Sequence, residues 1–486
     1  MRLGDLFFDG VPADAEDLEI TGLTADSRKA KPGFLFAALQ GVAAHGRDFV
    51  AQAKANGAVA VLSAGDLSED PEMPHVIVDD ARLEFAYAAA AFYKGQRPHV
   101  LVGVTGTNGK SSTVDFLRQI WAHAGKRASS LGTLGAIWDG GVIDLGHTTA
   151  DPVALHSTLA LLADGGVTHA AMEVSSHGLE QGRVAGLAFD AGAFTNLTQD
   201  HLDYHKTMEA YREAKLKLWD YVKRPGVAVI NADSPEAPVF ETRALRGIDS
   251  EPLKVVTAGW RADAQGLKII EILPRPNAQT MILRWAGKEH KVELPLIGEF
   301  QAINAVTSAA LALALGDAPD MVFAGMAALK PVKGRMEHIG QSASGGHVFV
   351  DYAHTPDGLD VLLRAARPHA PGRIIAVFGC GGDRDADKRP KMGAIAHRHA
   401  DVVIVTDDNP RSEEPASIRA QILAATPGAT EIGDRAQAIR EAIAMMKPGD
   451  AVLIAGKGHE TGQIVKGVTH PFSDQDVARG VLSAQT

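Results

Sequence analysis

The run Val104-Thr105-Gly106-Thr107-Asn108-Gly109-Lys110-Ser111-Ser112 carries the clearest chemistry in the chain. Glycines let backbone N–H groups close in on phosphate oxygens, and a helix starting at the lysine presents the positive end of its dipole to negative charge. Lys110 supplies a point charge for terminal phosphates, and the Ser111 hydroxyl suits Mg²⁺. Val104 stands where the strict phosphate-loop pattern has glycine, six residues before the lysine. An apolar run, Val100 to Val104, leads in, and a helical pattern with Val114, Leu117 and Trp121 on one face leads out. That strand–loop–helix context predicts ATP binding but leaves the reaction open.

Three further segments are rich in reactive groups: Met172-Glu173-Val174-Ser175-Ser176-His177-Gly178, the stretch from Thr195 to His205, and Tyr211-Arg212-Glu213-Ala214-Lys215. Glu173, at the end of an apolar strand, is a hard oxygen ligand suited to Mg²⁺. His201 and His205 have the spacing of a helical zinc pair, yet Leu202 occupies the place where a zinc protease has glutamate. The residues alone reach a magnesium nucleotide site and no further.

The elements that must hold these groups read as α/β throughout. Short strands at Gly33 to Leu39, Val59 to Leu62 and Val76 to Val78 alternate with Ala-rich helical stretches, and Gln96-Arg97-Pro98 marks a boundary. Strands at His169 to Val174, Ala193 to Asn196 and Val227 to Asn231 follow, alternating with helices as in a mostly parallel sheet. A second boundary falls in Leu329-Lys330-Pro331-Val332-Lys333-Gly334-Arg335. Beyond it come strands His347 to Val350, Arg373 to Phe378, Asp401 to Thr406 and Ala451 to Ala455, with helices at Lys391 to Ala400 and Arg435 to Met446, the latter capped by Asp434. The expectation is an α/β protein of three domains: a small α/β domain over 1–98, a central phosphate-loop domain with a mostly parallel sheet and flanking helices over 99–331, and a Rossmann-like α/β domain over 332–486.

Composition agrees. A chain of 486 residues has room for about three cores. Forty-eight basic residues against 59 acidic ones give a net charge of −11 with no basic run, which argues against a nucleic-acid partner. The single cysteine, Cys380, excludes an internal disulfide and any cage built from several cysteines. No signal-peptide core and no bilayer-length apolar run is present, so a cytoplasmic protein without membrane insertion is expected.

Taken together, Gly106-Thr107-Asn108-Gly109-Lys110-Ser111, Glu173-Val174-Ser175-Ser176-His177 and Asp200-His201-Leu202-Asp203-Tyr204-His205 resemble the Mur ligases, whose distant relatives include the folylpolyglutamate synthases. Thr24-Ala25-Asp26-Ser27-Arg28 with Pro32-Gly33-Phe34-Leu35-Phe36, Asp408-Asn409-Pro410-Arg411 and Gly456-Lys457-Gly458-His459-Glu460 extend the resemblance over nearly the whole chain. It implies that 1–98 binds a UDP-muramoyl substrate, 99–331 binds ATP and 332–486 binds an amino acid. The implied reaction passes the ATP γ-phosphoryl group to a D-Glu γ-carboxylate, and an amine then attacks the acyl phosphate. Lys110, Glu173, His201 and Lys215 would be the catalytic set. Two Mg²⁺ ions are implied, held by Ser111, Glu173, His201 and Lys215, the last converted to a carbamate.

The resemblance also distributes the substrates. ATP falls to Gly106, Thr107, Asn108, Gly109, Lys110, Ser111 and Ser112, with Asn304, Arg335, Asp351 and His354. UDP-N-acetylmuramoyl-L-Ala-D-Glu falls to Ser27, Thr148, Thr149, Ser175, Gln181 and Arg183, with a looser uracil contact in Gly41-Val42-Ala43-Ala44-His45-Gly46. For the amino acid, Arg384, Asp408, Asn409, Pro410, Arg411, Gly456 and Glu460 point to meso-diaminopimelate, because two arginines can each clamp a carboxylate and lysine has only one. A monomer is expected. Two alternatives stay open: a lysine-adding or folyl-type ligase, and a nucleotide-gated binding protein with no ligase chemistry.

Overall fold

Strand Val100–Thr105, buried along nearly its whole length, is the spine of the part of the chain that carries the phosphate loop. In this computed structural model residues 1–41, 44–67, 71–246 and 251–485 are described, apart from the side chain of Asp203. The chain divides into two compact units, Met1–Gly266 with Thr307–Val322 and Leu267–Val306 with Phe323–Thr486.

The first unit opens with a four-stranded parallel sheet, Gly22–Thr24, Phe34–Ala37, Ala58–Ala64 and His75–Val78, in that order. Leu35, Leu62 and Val76 pack on one of its faces with Phe85 and Ala89 of helix Ala81–Phe92. Phe36 and Val61 pack on the other with Val50 and Ala53. Asp80 starts the long helix by accepting from the backbone N–H groups of Arg82 and Leu83.

Next in this unit lies a parallel run in the order Lys254–Gly259, Val222–Asn231, Phe189–Phe194, Val100–Thr105, His169–Glu173 and Ala128–Gly132. The antiparallel strands Gly135–Trp138 and Gly141–Ile143 extend it. Val100–Thr105 therefore sits between the strand ending at Glu173 and the strand leading to Asn196. In an open parallel sheet, the place where successive connections turn to opposite sides leaves a crevice at the strands' carboxyl ends. Helix Lys110–His123 buries Val114, Phe116, Leu117, Ile120 and Trp121, and the Trp121 indole N–H donates to Asp317 Oδ2 at 3.0 Å. The expected strand Ala193 to Asn196 begins earlier, at Phe189–Phe194, because Phe189 and Ala191 are buried too.

The second unit contains an antiparallel meander, Leu267–Arg275, Ala278–Trp285 and Lys288–Leu294, whose mixed polar and apolar residues gave no clear strand signal. Its larger sheet runs Glu337–Gln341, His347–Asp351, Ala451–Ala455, Ile374–Phe378, Val402–Val405 and Thr430–Glu431, parallel except for the first strand. Two cores cover its faces: one with Leu359, Leu363, Met392 and Ile422, the other with Ile439, Ile443, Ala478 and Leu482. Helix Arg435–Ala444 starts where expected, with Asp434 accepting from the Gln437 N–H. Helix Lys388–His399 begins three residues before its expected start at Lys391.

Candidate active site

The phosphate loop forms a tight turn at the carboxyl end of Val100–Thr105. Gly106 adopts φ 147°, and a β-carbon there would lie 1.9 Å from Thr195 Oγ1, so glycine is required. Gly109, in the left-handed region, precedes the first turn of helix Lys110–His123. The loop is braced from the next strand's exit: the Thr107 N–H donates to the Asn196 carbonyl at 2.8 Å and the Asn108 N–H to Asn196 Oδ1 at 2.9 Å. Thr195 Oγ1 in turn donates to the Asn108 carbonyl at 2.6 Å. Lys110 folds over the turn, its Nζ donating to the carbonyls of Gly106 at 2.9 Å and Thr107 at 2.8 Å. Ser112 is buried beside it.

The Ser111 hydroxyl donates to Glu173 Oε1 at 2.9 Å, tying the helix start to the adjacent strand's end. Thr133 holds the same carboxylate, its N–H 2.8 Å from Oε1 and its Oγ1 3.4 Å from Oε2. Glu173 is 2% exposed. A hydroxyl and a carboxylate within hydrogen-bond distance, beside a phosphate-binding helix end, are hard oxygen donors of the kind Mg²⁺ takes together with phosphate oxygens. Among the described residues there is no group of three or more His, Cys, Asp or Glu side chains that forms a metal cage by itself.

Lys215 lies in the last turn of helix Met208–Leu216, started by Thr207, whose Oγ1 accepts from the Ala210 N–H. Only 1% of Lys215 is exposed. Its Nζ donates to the Gly106 carbonyl at 2.8 Å and lies 4.3 Å from the centre of the Tyr211 ring. Burial, reinforced by the charge of Lys110, drives the Lys215 amine well below its ordinary value of 10.5. Burial also pushes the Tyr211 phenol up, while its hydrogen bond with Thr107, 3.2 Å long, opposes that shift.

His201 has φ 53° and heads the short helix Leu202–His205. Its side chain is 48% exposed, with Nε2 3.6 Å from Asp200 Oδ2. His205 is buried, between Ser176 Oγ at 2.9 Å from Nε2 and Glu180 Oε2 at 3.2 Å from Nδ1. Both imidazoles pack edge-on to His177, at 5.0 and 5.3 Å. The two histidines thus diverge in role, and the zinc-pair reading of their spacing finds no support, since each His205 nitrogen already faces a protein oxygen.

One network gathers most of the residues expected at the muramoyl substrate. Thr149 Oγ1 donates to Ser175 Oγ at 3.1 Å, and Arg183 donates to the Thr149 carbonyl at 2.7 Å and to Gln181 Oε1. Gln181 Nε2 reaches the Tyr204 hydroxyl at 3.3 Å, and Thr148 and Thr133 hydroxyls lie 3.1 Å apart. Ser27 belongs to the first sheet's surroundings, its Oγ donating to Gln52 Oε1 at 2.7 Å. Of the uracil segment, Val42 and Ala43 lie outside the described residues.

In the second unit, Gln301 Nε2 donates to the Arg335 carbonyl at 2.8 Å, and Asn304 Nδ2 lies 3.4 Å from Gln301 Oε1. The Arg335 guanidinium stacks 4.6 Å from the centre of the Tyr352 ring. Asp351 accepts from the N–H groups of Met336 at 2.7 Å and Ala353 at 2.8 Å, bracing the turn that carries Tyr352 and His354.

The expected amino-acid residues follow the carboxyl ends of three consecutive strands of the second unit's sheet, Ala451–Ala455, Ile374–Phe378 and Val402–Val405. Arg411 stands at φ 52° in the turn after Pro410; its N–H donates to the Ile464 carbonyl at 3.0 Å and its Nη1 to the Gly382 carbonyl at 2.8 Å. Glu413 is engaged instead by Arg389, at 2.8 Å. Asn409 Nδ2 donates to Glu460 Oε2 at 2.9 Å, and a β-carbon on Gly456 would lie 2.7 Å from Asp408 Oδ2. Arg384 is exposed on the loop that follows Ile374–Phe378. Two residues had no sequence signal of their own. Thr133 supports Glu173 from just past strand Ala128–Gly132, and Lys457, quoted only as part of the run Gly456 to Glu460, was assigned no role.

This loop, this sheet order and this acid–lysine set define a class of ATP-dependent ligases, and the chain belongs to it: it is a member of the Mur ligase family. Residues 19–99 match the Mur ligase family catalytic domain, 104–312 the Mur ligase middle domain and 334–458 the Mur ligase glutamate ligase domain. The fold is the three-domain fold of that family. Curated relatives called UDP-N-acetylmuramoyl-L-alanyl-D-glutamate--2,6-diaminopimelate ligase are similar over almost all of their length. The one from Caulobacter vibrioides is 49% identical over 97% of this chain and 97% of its own, and that from Brucella melitensis 48% over 99% and 97%. A solved structure with the same enzyme name superposes with a TM-score of 0.75 at 33% identity, covering 100% of this chain and 99% of its own. At 20% identity, the ADP complex of Mycobacterium tuberculosis folylpolyglutamate synthase shares the fold over 77% of this chain and 91% of its own, with a TM-score of 0.63.

Proposed function

We propose that this enzyme joins meso-2,6-diaminopimelate to the D-Glu γ-carboxylate of UDP-N-acetylmuramoyl-L-Ala-D-Glu, consuming ATP and releasing ADP and phosphate, in the cytoplasmic synthesis of peptidoglycan precursors. The observation that carries the reading is the loop itself: Ser111 bonded to Glu173, with Lys110 and Lys215 both reaching the Gly106 carbonyl. Full-length relatives named for that reaction support the choice of substrates.

The γ-carboxylate oxygen attacks the γ-phosphorus of ATP in line, and the bond to the β–γ bridging oxygen breaks. Two anions must approach, so the chief task of the protein is to position them and neutralise charge. Lys110, already turned over the loop, donates to the terminal phosphates. Ser111, Glu173 and His201 would hold one Mg²⁺, and carbamylated Lys215 would reach a second; such ions would add positive charge where phosphoryl transfer needs it. Lys215 reaches that state when its neutral amine adds CO₂ and loses a proton, becoming a carbamate anion. The free amine of diaminopimelate then attacks the acyl carbon, and phosphate leaves from the tetrahedral intermediate while the new amide nitrogen gives up a proton.

Arg183, Gln181, Ser175, Thr149 and Thr148 orient the dipeptide, and Ser27 faces the uridine end. Asn304, Arg335, Asp351 and His354 complete the adenosine side, and Ser112 with Gly106 to Gly109 the phosphates. Arg411 and Arg384 take the carboxylates of diaminopimelate, and Glu460, beside Asp408, Asn409 and Gly456, its distal ammonium. The division of labour runs 1–98, 99–331 and 332–486. The enzyme acts as a monomer, without nucleic acid or membrane insertion. Among the described residues no helix is long and apolar enough to cross a membrane.

The test is ADP release from purified enzyme given ATP, the UDP-muramoyl dipeptide and either meso-diaminopimelate or L-lysine. Release is expected to require both the dipeptide and diaminopimelate. Release without an acceptor, or equal turnover with L-lysine, contradicts the reading.

A further inference from the structure

We propose that Lys457 is a positioning residue for the incoming amino acid: it fixes Glu460 and Asn409 in the arrangement that receives the distal ammonium, and it limits the negative charge that the pocket presents. The inference rests on the reading of Asp408, Asn409, Arg411 and Glu460 as amino-acid contacts. Lys457 follows strand Ala451–Ala455 by two residues, and its side chain is fully buried, 0% exposed. Its Nζ lies 3.0 Å from Asn409 Oδ1, 3.0 Å from Glu460 Oε2 and 3.8 Å from Asp408 Oδ1. An ammonium has three donors and no acceptor, and this one faces an amide oxygen and two carboxylates.

The consequences for its neighbours follow from geometry. Asn409 Oδ1 also accepts from the Ile464 N–H at 3.0 Å, so its amide is oriented, with Nδ2 directed at Glu460. Glu460 Oε2 is therefore held by two donors, Lys457 and Asn409, while the side chain remains 34% exposed and open to a ligand. Burial alone would raise the Glu460 carboxyl; Lys457 and Asn409 outweigh it and hold the group below its ordinary value. Asp408 and Glu460 carry two negative charges and Lys457 one positive, so the cluster keeps one negative charge. That matches one ammonium next to a carboxylate bound by Arg411. Without Lys457 the extra charge would repel the second carboxylate of diaminopimelate, a penalty that L-lysine, lacking that carboxylate, does not meet.

The experiment compares wild type, Lys457→Met, Glu460→Gln and the double variant in ADP release, with KM and kcat for meso-diaminopimelate, L-lysine and ATP, and thermal melting of each protein. Lys457→Met is expected to raise the KM for diaminopimelate about ten- to a hundredfold, the value of a charge-assisted hydrogen bond. The KM for ATP stays unchanged, kcat at saturation changes little, and the preference for diaminopimelate over L-lysine narrows. Because Lys457 acts through Glu460, adding Lys457→Met to Glu460→Gln raises the KM little further. The double variant also removes the Glu460 charge that the single variant leaves without its ammonium, so it decides the matter if the single variant does not fold. A KM for diaminopimelate within twofold of wild type in Lys457→Met overturns the proposal. So do effects that multiply in the double variant, or equal losses for ATP and diaminopimelate, which mark a merely structural lysine. Wild-type enzyme with no diaminopimelate-dependent ADP release would instead defeat the functional reading on which the proposal stands.

Discussion

Lys110 and Lys215 donate to one acceptor, the Gly106 carbonyl oxygen, at 2.9 and 2.8 Å. Two ammonium groups on a single oxygen repel each other, and Lys215 is the buried one, so its amine is the one driven toward the neutral form. A neutral lysine is a nucleophile for CO₂, and the resulting carbamate would turn repulsion of Lys110 into attraction. Lys215→Ala is therefore expected to lose activity by about a hundredfold or more, the scale of removing a preorganised charge from an active site. A small carboxylate such as acetate should restore part of it. Full activity in the variant, measured as ADP release, would remove Lys215 from the mechanism.

The Ser111–Glu173 contact yields a second expectation. Glu173 accepts from Ser111 and twice from Thr133, so a glutamine there keeps its shape but loses the charge. Glu173→Gln should raise the Mg²⁺ concentration needed for half-maximal ADP release by about tenfold, with the melting temperature little changed. An unaltered Mg²⁺ titration would argue that Glu173 holds the loop and nothing more.

How much of this was legible beforehand depends on the range of the contacts. The phosphate loop was, because Gly106 and Gly109 answer to local backbone needs and Lys110 starts the helix they lead into. Glu173 at a strand end was legible for the same reason. The partners were not: Thr133 reaches Glu173 across 40 residues of sequence, and Lys215 reaches Gly106 across 109. Only the order of the parallel strands brings them together, and no local pattern encodes that order. Lys215 illustrates the gap, since a lysine on an amphipathic helix is ordinarily a surface residue. The meander from Leu267 to Leu294 shows no clean alternation, because Leu273 and Pro274 are exposed among charges while the polar Gln279 and Thr280 are buried.

Arg411 offers the test of amino-acid choice. Its positive φ of 52° and its backbone bond to Ile464 hold it in place whatever its side chain does, so truncation should spare the fold. Arg411→Ala is expected to raise the KM for meso-diaminopimelate by about a hundredfold, as a lost guanidinium–carboxylate pair would. The melting temperature should fall by only a few degrees. Turnover of diaminopimelate at the wild-type KM would move the selectivity elsewhere.

Acid sensitivity can be traced to one further pair. His338, on the edge strand Glu337–Gln341, meets His347 on the neighbouring strand, with Nε2 and Nδ1 3.0 Å apart, and packs 5.1 Å from the Phe349 ring. Burial, with His347 second, pulls the His338 imidazole from 6.5 down to about 4. Between those two values the unfolded chain binds a proton that the folded protein does not, so unfolding gains as pH falls. The stability that comes from keeping His338 neutral is present above 6.5 and is lost as pH falls toward about 4, amounting to roughly 2–3 kcal/mol. His338→Gln keeps a hydrogen-bonding side chain without the titration. Its melting temperature should decline less steeply than that of wild type across this interval, while both proteins share the losses due to their carboxylates. Parallel melting curves for the two proteins from pH 7 to pH 4 would show that His338 contributes nothing to the acid response.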